Sequence, residues 1–137
     1  MPTARKAMFA ALLSSEMRLW QPIFLVEITC PDEAVGGIYN VLNQRRGEYV
    51  GEEQIPGTPL KTIKAYLPVA QSFGFTTHLR TETSGRAFPQ CVFHHWDIVK
   101  DNPLTEGSEA HEIIMNLRKR KGMKGDMPKA DDYIDKL

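Results

Sequence analysis

The chain has 137 residues, 42% hydrophobic and 25% charged, enough for one compact domain with extra elements at its ends and a core that needs no disulfide staples. Lysine plus arginine and aspartate plus glutamate both number 17, so the long-range positive field of a dedicated nucleic-acid binder is absent and any phosphate binding has to be local. No apolar run approaches the ~20 residues of a membrane helix and the start shows no signal-peptide pattern; Cys30 and Cys91 make no C-x-x-C pair, which argues against structural zinc and for free thiols in a reducing, cytoplasmic setting.

Ala4, Ala7, Met8, Ala11 and Leu12 recur at helical spacing and predict a helix over 3–14. Pro22 biases Gln21 towards extended backbone, and PIFLVEITC, apolar on both faces, reads as a central strand beginning at that proline. Pro31 and Asp32 end it and open a helix that aligns Val35, Ile38, Tyr39 and Leu42, with Arg45 and Arg46 as a basic last turn and Gly47 as the stop. Gly36 and Gly37 inside this helix cost about 1 kcal/mol each against alanine. No phosphate-loop spacing surrounds them, so both are expected to serve close helix-on-sheet packing.

EYVGEEQI and LKTIKAYL read as a hairpin joined by PGTP, with Ile63, Ala65 and Leu67 inward. After Pro68, VAQSFGFTTHLRTETSG predicts one helix stopped at Gly85, with Phe73 and Phe75 in or near the core. AFPQCVFHHWDIV is a strand whose internal Pro89 suits only an edge. The order β-α-β-β-α-β defines an α+β, ferredoxin-like sandwich: a four-stranded antiparallel sheet with both helices on one face, the first strand central and the fourth on the edge beside it. A tail helix over SEAHEIIMNLRKRKG opens on a Ser108 cap and ends in Arg118 to Lys121 before Gly122, with Lys124 beyond, and a further short helix is expected over 128–137.

Reactive residue types crowd 72–96 without composing a site. His94 and His95 alternate across a strand and so do not converge on a metal; His78 and His111 complete no i,i+4 pair. Cys91 shares a face with Phe93 and not with His94, which makes a buried, inert thiol the expectation. LKTIKAYL lacks the aromatic signature with which an RNA-recognition module of this topology stacks bases. No catalytic, cofactor-binding or metal residue is assigned.

Taken together, PTARKAMFA, FLVEITCPDEAVGGIYNVLNQRRG, PGTPLKTIKAYLPVAQSFGFTTHLR, AFPQCVFHHW and the terminal DKL resemble the C-terminal end of the eukaryotic elongation factor 2 family, in order and over essentially the whole chain. The resemblance implies a ferredoxin-like fifth domain over 21–99, with 1–20 as the end of the fourth domain and 100–137 as a helical tail returning to it. It implies a parent GTPase that drives ribosomal translocation, whose G domain, with its GTP and magnesium, and modified-histidine loop lie upstream of Met1. This chain is then expected to be non-catalytic, to hold no cofactor, and to contact ribosomal RNA and stalk-base proteins near the GTPase-associated centre. From charge and expected exposure, Arg45, Arg46, Lys61, Lys64, Arg80 and Arg86 are the candidate contacts.

Two departures from the elongation-factor pattern stand out. Phe93-His94-His95-Trp96 replaces the usual F-D-H-W, and Ser84-Gly85-Arg86 the usual G-G-Q. The first is shared with the related spliceosomal GTPase, whose C-terminal domain is one alternative; an independent RNA-binding ferredoxin-like module is another. Without the rest of a fourth domain, the first helix and the tail are expected to pack on each other, on the open sheet face, or across a dimer.

Overall fold

The computed structural model describes residues 2–123, 125 and 127–133; Lys124 and the terminal DKL lie outside them. The elements run α1 (Pro2–Ser14), β1 (Leu19–Pro31), α2 (Val35–Gln44), β2 (Glu48–Gln54), β3 (Leu60–Pro68), α3 (Phe75–Thr83), β4 (Phe88–Val99) and α4 (Glu109–Arg120). By its contacts the chain divides into two compact units, Gln21–Asp97 and a second drawn from the residues before and after it.

In the Gln21–Asp97 unit the strands lie in the order β2-β3-β1-β4, with β1 central and β4 on the edge beside it, as the sequence predicts. β1 and β3 pair antiparallel with Val26 opposite Ala65 and Ile28 opposite Ile63. This register puts the most apolar alternate residues of both strands on one face. β2 pairs antiparallel with β3 and slips by one residue between Tyr49 and Gly51. The hairpin turns at Pro56-Gly57: Thr58 N–H donates to the Ile55 carbonyl at 3.3 Å, and Gly57 takes the left-handed φ of 76° that the third position of a type II turn requires.

The core forms where Val26, Ile28, Cys30, Ile63, Ala65 and Leu67 of the sheet meet Ile38, Val41 and Leu42 of α2 and Phe75 and Leu79 of α3. Burying each larger side chain contributes roughly 1.5–3 kcal/mol. The two helices also touch each other, and Gly37 is where they approach: a Cβ there would stand 2.9 Å from the Glu82 carbonyl oxygen. The close contact is therefore helix on helix rather than helix on sheet. Gly36 plays no part in it, since a Cβ there would meet nothing within 4 Å.

Four local expectations are corrected. β1 starts at Leu19, ahead of Pro22, and Pro22 is tolerated because the pairing with β3 begins only at Ile23. The helix expected across 69–85 is a 3₁₀ turn, Val69–Gln71, followed by α3; Gly74, at φ 74°, breaks the continuity. Phe75 is accordingly buried, whereas Phe73, expected near the core, is 71% exposed. The left-handed stop of α2 is Arg46, at φ 58°, one residue before the predicted Gly47.

In the second unit, Ser108 caps α4 as predicted, its Oγ accepting from His111 N–H at 3.2 Å. Gly122, at φ 70°, ends the helix, with Met123 N–H returning to the Arg118 carbonyl at 2.9 Å. Of the helix expected over 128–137, the described residues show a single 3₁₀ turn, Ala130–Asp132, closed by short-range bonds to the carbonyls of Lys129 and Ala130; 134–137 lie outside them. α1 packs on this turn, with the Phe9 and Tyr133 rings edge to face at 5.4 Å. Among the placements expected for α1 and the tail, packing on each other is thus found.

Candidate nucleic-acid interface

Two of the six predicted cations, Arg45 and Arg46, follow the last turn of α2, and a third, Arg80, lies in the last turn of α3. α2 closes with two reciprocal bonds, Gly47 N–H to the Leu42 carbonyl at 2.7 Å and Arg46 N–H to that of Asn43 at 3.4 Å. The turn swings Arg45 towards the segment ahead of α3, whose carbonyls lie outside helix or strand and need donors. Nη1 of Arg45 donates to the carbonyls of Gln71 at 2.7 Å and Phe73 at 2.8 Å, and Nε to His78 Nδ1 at 3.2 Å. The last bond makes Nδ1 an acceptor and leaves any ring proton on Nε2. Arg45, expected as a surface contact, is therefore a half-buried clamp on its own loop. Arg46 beside it and Arg80 on α3 are exposed.

The other cations are held by carboxylates. Lys61, opposite Cys30 and so on the helix-bearing face, has Nζ 3.0 Å from Asp32 and 3.7 Å from Glu52. The hydrogen bond and charge of Asp32, then the charge of Glu52, push its pKa up. Lys64, opposite Glu27 on the open face, reaches Glu53 at 3.4 Å. Arg86 pairs with Glu33 at 2.8 Å and donates from Nε to the Thr83 carbonyl at 3.2 Å. Lys61 and Lys64 thus point to opposite faces of the sheet, and the six do not make one patch. Solvent-screened pairs of this kind contribute little, so a phosphate can displace the carboxylate.

The histidine pair departs from expectation. His94 and His95 lie on the same side of β4, with their Nδ1 atoms 2.7 Å apart and both rings 5.0 Å from Tyr66 on β3. A regular pleat would separate them. β4 therefore leaves its alternation here, as a bulged strand does, and Phe93 and Trp96, three positions apart, come into edge contact at 6.1 Å. One ring donates and the other accepts. Among the described residues, no three histidine, cysteine or acidic side chains gather where an ion could bind.

Cys91 is also corrected: it is exposed, because an edge strand has a neighbour on one side only, whereas Cys30 on the central strand is buried. Partial burial of the sulfur pushes the Cys91 thiol pKa up. Burial, followed by the charge of Asp32, does the same for Cys30. Both shifts oppose thiolate formation and so count against a nucleophilic role.

Sequence reasoning missed two aromatic residues. Tyr66 was legible, since the alternation that puts Ala65 and Leu67 inward sends it to the open face with Lys64. Phe73 had only the following glycine as a signal.

The inner face of a four-stranded antiparallel sheet covered by α2 and α3 defines a ferredoxin-like α+β sandwich. Residues 18–107, well over half of the chain, match the family model described as "Elongation factor G C-terminus". The chain belongs to that family and carries the C-terminal domain of a translation elongation factor. Among the described residues, no helix is long and apolar enough to cross a membrane.

Proposed function

We propose that the chain is the C-terminal part of eukaryotic elongation factor 2, acting as a non-catalytic, cytoplasmic ribosome-contacting module of a translocation GTPase. The family match over residues 18–107 carries this reading. The segments PTARKAMFA and DKL on either side of the matched span extend the resemblance to the eukaryotic factor. In this reading 21–99 is the fifth domain, 1–20 and 100–137 belong with the fourth, and the chain itself needs no cofactor.

Ribosomal RNA near the stalk base is the partner. Arg80 and Arg46 contact phosphates, as do Lys61, Lys64 and Arg86, the last three by exchanging a carboxylate for a phosphate oxygen. Arg45 orders the loop between them. Cosedimentation of the chain with purified eukaryotic large ribosomal subunits tests this. Binding at roughly 50 mM salt should weaken steeply towards roughly 200 mM, as phosphate contacts dictate. A chain that stays in the supernatant at the lower salt refutes the reading.

The Phe93-His94-His95-Trp96 run favours a second reading, the C-terminal domain of the related spliceosomal GTPase. Retrieval of spliceosomal particles in preference to ribosomes would select it.

A further inference from the structure

Among the described residues Phe73 is the most exposed aromatic, at 71%, while Phe75 two positions on is 1% exposed. The loop turns one ring into the core and holds the other out. Gly74 makes the turn, at a φ of 74° that strains any residue with a Cβ. The loop that presents Phe73 is tightly held. Arg45 donates to the carbonyls of both Gln71 and Phe73, Ser72 bonds the Val69 carbonyl through N–H at 3.0 Å and Oγ at 2.6 Å, and Phe75 N–H returns to Ser72 at 3.0 Å. Charge-assisted bonds thus fix an apolar ring in water, where it gains nothing from burial. Such a ring is pre-ordered for a partner.

The surroundings select the partner's chemistry. Next along the chain come Gly74 and the exposed, polar first-turn residues Thr76 and Thr77. The positive charge of Arg45 lies under the loop, its Nη2 3.8 Å from where a Gly74 Cβ would stand. Arg46, just beyond α2, and Arg80, in the last turn of the helix the loop leads into, are exposed. A protein partner needs a contiguous apolar patch. A single ring among hydroxyl groups and guanidinium ions suits a nucleobase, which offers a flat apolar face beside a negative backbone.

We infer that Phe73 stacks on an unpaired base of RNA while Arg80 takes a neighbouring phosphate; this deepens, and rests on, the ribosome-contact reading above. The test measures affinity of the full chain for purified eukaryotic large ribosomal subunits across a salt series, with Phe73→Ala, Phe73→Leu, Phe73→Trp and Arg80→Ala. Stacking predicts that Phe73→Ala weakens binding on the order of ten-fold without changing the salt slope, because a neutral ring releases no counterion. Phe73→Leu should be as weak as alanine, and Phe73→Trp as tight as the parent or tighter. Arg80→Ala should reduce the slope by about one. Thermal unfolding of the Phe73 variants should match the parent, since the ring is exposed. Parent binding with an unaffected Phe73→Ala overturns the stacking and leaves the ribosome reading standing. Full binding by Phe73→Leu overturns it in favour of an apolar protein pocket. A parent chain that does not bind overturns the ribosome reading and the stacking with it.

Discussion

At the residue scale, two adjacent glycines in α2 have opposite reasons to be there. Gly37 has the Glu82 carbonyl oxygen 2.9 Å from a would-be Cβ, and that atom is backbone, fixed by α3. Gly37→Ala must therefore push the helices apart, at about 1–3 kcal/mol as overpacking costs. Gly36 meets nothing, so Gly36→Ala should instead gain up to about 1 kcal/mol of helix propensity. Urea midpoints of the two variants should move in opposite directions, and a matching loss in both would contradict the asymmetry. Tyr39 supplies a second residue-level prediction. Burial first, then Tyr49 and Glu52, push its hydroxyl pKa up to about 12, and the hydroxyl donates to Glu52 at 3.4 Å. Between about pH 10, the ordinary tyrosine value, and about pH 12 the unfolded chain releases this proton while the folded chain keeps it. The contribution is therefore complete below about pH 10 and lost as pH rises through that window. Lys61, its pKa also raised, acts in the same direction at alkaline pH. Tyrosinate absorbance should show one of the four tyrosines titrating late, with stability falling over the same interval; four coincident titrations near the ordinary value would refute it.

At the element scale, helix ends separate what the sequence disclosed from what it hid. α2 and α3 were each expected to stop on a glycine; α2 instead turns left-handed at Arg46, one position before Gly47. By contrast, α3 does stop at Gly85, whose N–H returns to the Arg80 carbonyl at 2.8 Å, with Ser84 before it left-handed as well. Gly47 is kept for another reason, since a Cβ there would stand 3.0 Å from Leu42 Cδ2. A left-handed non-glycine residue costs roughly 1–2 kcal/mol, and glycine gives back part of that through unfolded-state entropy. Ser84→Gly should thus stabilise the Gln21–Asp97 unit by about 0.5–1 kcal/mol, read as a higher melting temperature, and a lower one would show that the serine side chain is needed. Element type and strand order were legible because alternation and helical periodicity report which face is buried, and burial of Val26, Ile28, Ile63 and Leu67 dominates the energetics. The start of α3 was not, because Val69 and Phe73 continue an apolar pattern across a backbone break that only Gly74 signals. The convergence of His94 and His95 was hidden for a related reason: strand reasoning assumes a regular pleat, and the pleat fails there. Of the candidate contacts, charge was readable from sequence but its destination was not. Arg45 turns inward to loop carbonyls and Lys61 to Asp32, both across separations that no local pattern encodes.

At the scale of the whole molecule, the packed core is a property of the middle of the chain. Every member of the principal hydrophobic cluster, from Val26 to Ala87, lies within the Gln21–Asp97 unit. α1, by contrast, contains no buried residue; Met8 is 70% and Leu12 55% exposed. A helix of 13 residues without a buried stripe is marginal on its own, since nucleation is costly and propensity returns only tenths of a kcal/mol per residue. Its described support is one face on the turn at Ala130–Asp132 and the Phe9–Tyr133 contact. Stability should therefore be graded along the chain. Native-state hydrogen exchange should show α1 amides opening at small free energies, while those of β1 and β3 open only with global unfolding of the central unit. A fragment spanning 18–100, which keeps β1 and β4 whole, should retain that unit's cooperative urea transition at nearly the same midpoint. Protection of α1 equal to that of β1, together with a fragment that loses cooperativity, would mean that the terminal segments contribute to the same folding unit as the sheet.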